Sequence, residues 1–205
     1  MATPQMKTLT DGDNIFTIPG VLSPEECADL IRMTEASGFQ DAPITTARGF
    51  VMRPETRNNA RVMQDDTRRA AWLWERMARF VAPKLGPWRA VGLNERLRYY
   101  RYEPGQYFKW HGDGAFIRSE KERSLFTAMI YLNDDFEGGS TDFWDSISIV
   151  PKQGMALVFE HSLTHQGAAV TRGRKYVVRS DVMYAHEGLS ASMSPWSSSH
   201  RSHTG

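Results

Sequence analysis

The second half of the sequence is divided into short apolar runs by glycine-containing turns. Runs of strand length, rich in aromatic and β-branched residues, occur at residues 96–102, 107–111, 125–132, 140–143, 155–159 and 175–184. Glycines lie between these runs, at positions 105, 138, 139, 154 and 173. Short runs punctuated in this way are typical of β-strands joined by turns. We therefore predict a β-sandwich or jelly roll for this half of the chain.

The first half of the chain begins with a strong helix-start signal. Ser23 can serve as an N-cap, Pro24 suits the first helical position, and Glu26 can complete a capping box. This helix is predicted to run to about Ser37, with Gly38 as its C-terminal cap.

A second helix is predicted from about residue 66 to residue 81. Leu73, Met77 and Phe80 recur at helical spacing, and Pro83 stops the pattern. Two helices followed by many short strands predict an α+β fold that is mainly β, with the helices packed on one sheet.

The length of 205 residues fits one domain. We predict that this domain spans residues 1–185, with helical support at about 22–85 and a jelly-roll core at about 90–185. From residue 186 the chain is rich in Ser and His, which predicts a disordered tail over 186–205.

Composition excludes several classes of function. A net charge of +1 argues against a dedicated nucleic-acid binder, whose domain would be strongly basic. Cys27 is the single cysteine, so neither an intrachain disulfide nor a cysteine-based metal site can form. Neither a secretory signal nor an apolar run of about 18 residues is present. We expect a soluble cytoplasmic protein that binds neither nucleic acid nor membranes; the oligomeric state is not encoded in any recognisable pattern.

Three residues form a candidate metal site. His111 and Asp113 are two residues apart, so in an extended strand both side chains project from the same face. Taken alone, this pair also fits a turn with an exposed aspartate. His165 follows the apolar run 155–159 and offers a third ligand. Two imidazoles and one carboxylate on one side of an iron ion leave three coordination positions open, as in non-haem oxygenases.

The third ligand has a competitor four residues earlier. If the segment around His161 and His165 were helical, the two imidazoles could chelate a metal by themselves. The Ser, Thr and Gly content of the segment favours a loop instead, and the spacing favours His165.

Lys175 begins the last predicted strand and allows two interpretations. In one, Lys175, Val177 and Arg179 face the interior of the sandwich, where a buried cation requires an anionic partner. In the other, Lys175 points to solvent while Tyr176 and Val178 pack in the core. The strand pattern alone does not decide between them.

Four motifs from residue 99 to residue 184 resemble those of the prolyl 4-hydroxylase-like 2-oxoglutarate/Fe(II)-dependent dioxygenases. Residues 101–113, RYEPGQYFKWHGD, are similar to the family pattern R-Y-x-x-G-x-x-Y/F-x-x-H-x-D. Residues 127–133, TAMIYLN, and 137–143, EGGSTDF, resemble T-x-x-x-Y-L-N and G-G-x-T-x-F. Residues 151–159, PKQGMALVF, resemble P-x-x-G-x-A-L-x-F. Each motif alone is weak, but four motifs in the family order are specific. The N-terminal helices resemble the family only in architecture.

The resemblance implies a choice between the alternatives for the histidine and the lysine. In this family the distal histidine precedes the 2-oxoglutarate-binding Lys or Arg by ten residues, with G-x-K between them. His165 and Lys175 have this spacing, and Gly173 is in place.

The resemblance also implies a fold, cofactors and a reaction. The fold is a double-stranded β-helix, the jelly roll of cupin-like proteins. Fe(II) is held by His111, Asp113 and His165, and Lys175 binds 2-oxoglutarate. Further co-substrate contacts are implied for Tyr131, Tyr102, Thr127 and Arg179, with Tyr131 preferred for the distal carboxylate. The second co-substrate is O2, ascorbate is a further candidate, and the expected reaction hydroxylates a C–H bond with release of succinate and CO2.

The substrate is much less constrained. Residues 44–64 are predicted to form a polar loop, placed like the mobile loop that closes over substrate in this family. Arg57, Asn58 and Arg61 are its candidate substrate contacts; the alternative is a solvated loop. Three hypotheses remain: a hydroxylase of prolyl residues in a protein or peptide, a hydroxylase of a free amino acid or small biosynthetic intermediate, and a non-catalytic sensor of metal or 2-oxoglutarate.

Overall fold

The structure, a computed structural model, describes residues 6–9, 14–46 and 49–188. The predicted tail over 186–205 lies outside these ranges except for its first three residues. His186 still belongs to the last strand.

The described residues form two α-helices, α1 Pro24–Ser37 and α2 Thr67–Met77, and a 3-10 turn, Ala78–Phe80. The strands are β1 Lys7–Thr8, β2 Ile15–Ile18, β3 Gln40–Asp41, β4 Ile44–Thr46, β5 Gly49–Val51, β6 Ala60–Asp65, β7 Lys84–Leu85, β8 Trp88–Leu93, β9 Arg96–Tyr102, β10 Phe108–His111, β11 Ile117–Ser119, β12 Glu122–Tyr131, β13 Glu137–Gly138, β14 Thr141–Phe143, β15 Ser148–Ile149, β16 Ala156–Glu160, β17 His165–Gly167, β18 Val170–Arg172 and β19 Lys175–His186. All six predicted strands are present, with ends shifted by up to three residues.

Most strands belong to two antiparallel sheets. The main sheet has the order β1-β2-β16-β12-β19-β9-β6-β3, with β7, β8 and β11 attached beside it. The second sheet has the order β10-β17-β14-β15. One apolar cluster joins the two sheets and includes Phe143 and Ile149 of the second sheet and Tyr131, Leu157 and Val177 of the main sheet. The α+β, mainly β class predicted from the sequence is confirmed.

The helices cover the outer face of the main sheet, as predicted. The capping box of α1 is formed: Glu26 N–H donates to Ser23 Oγ at 3.2 Å, and Ser23 N–H donates to Glu26 Oε2 at 2.8 Å. Leu30 of α1 and Leu73 and Met77 of α2 are buried in a second apolar cluster. None of the helices in the described ranges combines the length and the apolar character needed to cross a bilayer.

The central strand β19 presents both of its faces to apolar layers. Tyr176 and Val178 pack in the cluster between sheet and helices, whereas Val177 packs between the two sheets. Lys175 is only 2% exposed, so the interpretation in which it points to solvent is wrong. The expectation that Tyr176 and Val178 pack in the core is nevertheless correct, because alternate residues face opposite layers.

The prediction of a polar loop over residues 44–64 is wrong for most of the segment. Strands β4 and β5 form a hairpin, and β6 pairs with β9 over its whole length. The polar composition hides a strand because only Ala60 and Val62 face the buried side, while Arg61 and Met63 face away. Within the described part of this segment, only residues 52–59 connect strands without belonging to one.

Gly154 lies in close contact with the segment that connects β2 to α1. Its φ is +75°, and a Cβ built on it would lie 2.1 Å from the carbonyl oxygen of Leu22. Since an L-residue in this conformation already costs about 1–2 kcal/mol, Gly154→Ala should lower the free energy of unfolding by clearly more than that.

Gly86→Ala is the matched control, because Gly86 has a φ of +56° and open space where an alanine Cβ would lie. Urea denaturation of both variants measures the difference. Equal losses of stability would show that the contact with Leu22 does not constrain this turn.

Candidate functional site

Strand pairing brings three polar side chains together at one end of the second sheet. His111 ends β10, His165 begins β17, and the two residues are direct partners in the antiparallel register. Asp113 follows His111 by two residues, and its N–H donates to His161 O at 3.1 Å. Asp113 Oδ1 lies 3.9 Å from His111 Nε2, and Asp113 Oδ2 lies 3.7 Å from His165 Nε2. The three candidate ligands are therefore adjacent, although the two histidines lie far apart in the sequence.

Hydrogen bonds select the same tautomer in both histidines. His111 Nδ1 lies 2.6 Å from Lys109 O, and His165 Nδ1 lies 3.0 Å from Leu163 O. A carbonyl oxygen can only accept, so each Nδ1 carries the proton and donates it. Each Nε2 is left with a free lone pair and lies within 4 Å of a carboxylate oxygen of Asp113. This is the arrangement in which a backbone carbonyl orients a metal-binding imidazole.

Burial keeps both imidazoles neutral. Burial, reinforced by the neighbouring His165, lowers the pKa of His111 to about 3. Burial likewise lowers the pKa of His165. Aromatic rings supply the burial: Phe108 stacks on His111 with ring centroids 3.5 Å apart, and Phe159 packs on His165 at 4.5 Å.

Asp113 is ionised despite being buried. Burial by itself would raise the pKa of its carboxyl, but Arg179 and the two histidines outweigh this effect and hold the pKa below its usual range. Arg179 Nη2 lies 3.0 Å from Asp113 Oδ1, and Thr127 Oγ1 donates to Asp113 Oδ2 at 2.5 Å.

His161 occupies a different position, behind Asp113. Its Nε2 lies 2.8 Å from Ser124 Oγ, and its Nδ1 lies 3.1 Å from Thr127 Oγ1. Since Thr127 donates its hydroxyl proton to Asp113, it accepts from His161 Nδ1–H. His161 therefore contacts the carboxylate only through Thr127.

Lys175 lies deeper between the two sheets. Its Nζ donates to Gly139 O at 2.6 Å and lies 5.2 and 5.4 Å from the ring centroids of Tyr102 and Tyr131. Burial lowers the pKa of Lys175 to about 7, and Asp142 offsets only part of this effect. Burial also raises the pKa of Tyr102 to about 12 and that of Tyr131 above its usual range, so both phenols are protonated. Within the part of the chain that the structure describes, no carboxylate forms an ion pair with Lys175.

Comparisons with known proteins agree with this geometry. Residues 97–180 match the family model of the 2OG-Fe(II) oxygenase superfamily. Over this segment the chain is similar to the members of that superfamily. A protein of Acanthamoeba polyphaga mimivirus that bears the provisional name prolyl 4-hydroxylase is 36% identical over a region covering 40% of this chain. The match covers 42% of that viral protein, so the chain spans less than half the length of this relative.

Solved structures of oxygenases share the fold. The 2OG complex of the viral collagen prolyl hydroxylase from Paramecium Bursaria Chlorella virus-1 is 25% identical, covers 85% of this chain and 98% of its own, and has a TM-score of 0.63. The Trichoplax adhaerens prolyl hydroxylase in complex with a hypoxia inducible factor peptide fragment is 16% identical to this chain. The match covers 86% of this chain and 85% of that structure, with a TM-score of 0.63. These matches confirm the double-stranded β-helix fold that was predicted for this chain.

The donor set formed by the three candidate ligands fits iron(II). First-row metals bind imidazole nitrogen and carboxylate oxygen at about 2.0–2.2 Å, so ligand atoms on one ion lie at most about 4.4 Å apart. Both imidazole-to-carboxylate distances, 3.7 and 3.9 Å, meet this limit. Two neutral imidazoles and one ionised carboxylate are also the donors that non-haem iron(II) oxygenases use.

Two cavities share His111 and Asp113 as lining residues. The inner cavity is a narrow space of about 40 Å³ that is bordered by His111, Asp113 and His165 at one end and by Lys175 at the other. The outer cleft, about 430 Å³, also borders His111 and Asp113. Tyr100, Phe108 and Arg179 border both spaces.

Four of the five remaining sequence-predicted residues border one or both of these cavities. Thr127 and Arg179 border the inner cavity, but each also bonds Asp113. Arg57 and Arg61 border the outer cleft. Asn58 borders neither cavity: its Oδ1 accepts from Tyr107 N–H at 2.8 Å, and its Nδ2 donates to Gly105 O at 3.4 Å. Asn58 thus holds the loop that connects β9 to β10.

Several site residues were not found from the sequence. Thr141 bonds Tyr131 Oη at 2.8 Å, and its place in the G-G-x-T-x-F motif was an available signal. Ser124, Arg98 and Asp181 could not be identified, because their roles depend on the pairing of β12, β19 and β9.

The positions of the two histidines lead to a prediction about metal binding. His165→Ala removes a ligand and should weaken binding of Mn(II), measured by anaerobic calorimetry, by more than about 100-fold. His161→Ala removes a group that contacts Asp113 through Thr127, and the loss should be at most about tenfold, at the low end for residues that orient ligands. A larger loss in His161→Ala, with both variants folded by circular dichroism, would reverse the ligand assignment.

Proposed function

We propose that this chain is a dioxygenase that depends on Fe(II) and 2-oxoglutarate and hydroxylates a C–H bond, with release of succinate and CO2. The observation that carries the proposal is the continuity of the inner cavity, which runs from the neutral His111, the ionised Asp113 and the neutral His165 to the buried ammonium of Lys175. A metal at one end and a cation at the other match a keto acid with a distal carboxylate.

His111, Asp113 and His165 would hold iron(II). Bound there, iron supplies activation of O2, coupled to decarboxylation of 2-oxoglutarate. The protein contributes orientation, because hydrogen bonds fix the tautomers of both histidines and two donors hold Asp113. We propose that Thr127 and Arg179 act chiefly on Asp113, and that Arg179 can also reach the co-substrate from its position beside the inner cavity.

Lys175 would bind the distal carboxylate of 2-oxoglutarate, and Tyr131 and Tyr102 would flank it. The ammonium donates to Gly139 O and the inner cavity is narrow, so Lys175 has to turn toward the carboxylate when the co-substrate enters. An anion beside Lys175 would restore its ordinary protonation, since opposite charge favours the ionised form.

Two substrate classes remain within the proposal. A prolyl residue in a protein or peptide is supported by the similarity to prolyl hydroxylases, one of which was solved with a peptide fragment. A free amino acid or small biosynthetic intermediate is supported by the outer cleft, whose volume of about 430 Å³ lies in the range of small-molecule sites.

One assay separates catalysis from sensing. Anaerobic protein with Fe(II) and 2-oxoglutarate should develop a visible charge-transfer band, and admission of O2, with ascorbate present, should yield succinate. The band without succinate, whatever substrate is offered, would favour a sensor that binds the co-substrate without turnover.

Lys175 provides a test that does not depend on turnover. Lys175→Met should weaken 2-oxoglutarate binding at least about tenfold, because a hydrogen bond between charged groups contributes about 1.5–3 kcal/mol. The measurement is the 2-oxoglutarate-induced rise in melting temperature with Mn(II) present. Lys152→Met is the matched control at an exposed lysine. An equal rise in both variants would assign the distal carboxylate to another residue.

The same variant makes a prediction about pH. The pKa of Lys175 in the fold is about 7, below its ordinary value of 10.5. Between these values the unfolded state binds more protons, so without co-substrate the stability of the wild type should rise with pH from about 7 to 10.5. Lys175→Met should lose this component of the pH dependence. An unchanged slope would show that the ammonium is not desolvated as the fold indicates.

A further inference from the structure

Four arginine side chains border the outer cleft: Arg57, Arg61, Arg98 and Arg179. Two of them have carboxylate partners. Arg98 Nη1 lies 3.1 Å from Asp181 Oδ2, and Arg179 Nη2 lies 3.0 Å from Asp113 Oδ1. Within the described ranges, Arg57 and Arg61 form no ion pair with a carboxylate.

Arg57 is the more buried of the unpaired arginines, with 4% of its surface exposed. Its guanidinium carbon lies 4.5 Å from the ring centroid of Tyr100 and 4.5 Å from that of Phe108. Its Nε donates to Asn59 Oδ1 at 2.7 Å, which is a neutral acceptor. Its Nη2 is buried without a hydrogen-bond partner. These contacts hold the side chain in position and leave Nη2 without a partner among the described residues.

Arg61 lies on the neighbouring strand β6 and adds a second positive charge to the same cleft. Burial lowers the pKa of its guanidinium, and the charges of Arg57 and Arg98 lower it further. Two like charges that repel each other at the border of a cleft are stabilised when an anion binds between them.

We propose that the primary substrate carries a free carboxylate, which Arg57 and Arg61 bind in the outer cleft while an adjacent carbon is presented to the metal site. This inference rests on the proposed function. Arginine binds carboxylates through paired, charge-assisted hydrogen bonds. The cleft shares His111 and Asp113 with the metal site, so a molecule anchored at Arg57 lies next to the candidate ligands.

An internal prolyl residue matches this cleft less well. Its neighbours are peptide groups, which offer a neutral carbonyl oxygen and would leave both guanidinium charges without a counter-ion. A free amino acid supplies the charge, and so does the C-terminal carboxylate of a peptide. The two sources share the same chemistry and differ in size.

Matched pairs of compounds test the proposal on the wild-type protein. The probes are the free L-amino acids, their C-terminal amides, a peptide ending in a free C-terminal proline, and an N-acetylated, C-amidated peptide with an internal proline. Substrate-stimulated succinate formation and a mass increase of one oxygen atom are measured for each. We expect free acids to exceed their amides by at least about tenfold in kcat/KM. The C-terminal peptide distinguishes a small-molecule substrate from a chain end.

Variants test the residues. Arg57→Gln and Arg61→Gln should each raise the KM for the free acid and reduce its advantage over the amide. Arg61→Gln keeps the test valid if the buried Arg57→Gln variant folds poorly. Arg89→Gln, at an exposed arginine outside both cavities, should retain the wild-type preference.

Three results would overturn the proposal. The first is a preference for the blocked internal peptide or the amides, and the second is stimulation by none of the free acids. The third is a rise in the KM for 2-oxoglutarate, rather than for the acid, in the Arg57 variant, which would assign this residue to the co-substrate. Failure of the proposed function is distinct, because the wild type would then form no succinate from 2-oxoglutarate with any probe.

Discussion

The structure depends on the alternation of side chains along β19. This strand lies between β12 and β9 in the middle of the main sheet, so its register is fixed on both sides. Tyr176 and Val178 tie it to the helices, and Val177 ties it to the second sheet. Lys175 and Arg179 are thereby forced into the space between the sheets. A shift by one residue would turn both cations toward the apolar helix layer.

Charge compensation explains how this interior tolerates so many ionisable groups. Asp113 and Asp181 lie among arginines, and each carboxylate has at least one ion pair. The histidines are neutral because burial lowers the pKa of each. Lys175 and Arg57 are buried cations whose hydrogen bonds go to neutral acceptors. They border different cavities that share His111 and Asp113, which is why we propose two different anionic ligands for them.

Much of this organisation could be predicted from the sequence. The Ser23 capping box, the apolar stripe of α2 and the six strands follow from local patterns. The choice of His165 over His161 required the resemblance, because both histidines follow the same apolar strand. The strand β6 was missed, since only two of its six residues are buried. The sequence also could not reveal which arginines are paired, because Asp181 meets Arg98 only when β19 lies beside β9.

A crystal structure of the anaerobic protein with Fe(II) and 2-oxoglutarate, with iron located by anomalous scattering, tests the central claim most directly. We expect a single iron peak within bonding distance of His111 Nε2, Asp113 and His165 Nε2, and the distal carboxylate of 2-oxoglutarate on Lys175 Nζ. Iron bound elsewhere, or a keto acid whose distal carboxylate lies on Arg57 with Lys175 still bonded to Gly139 O, would contradict this account.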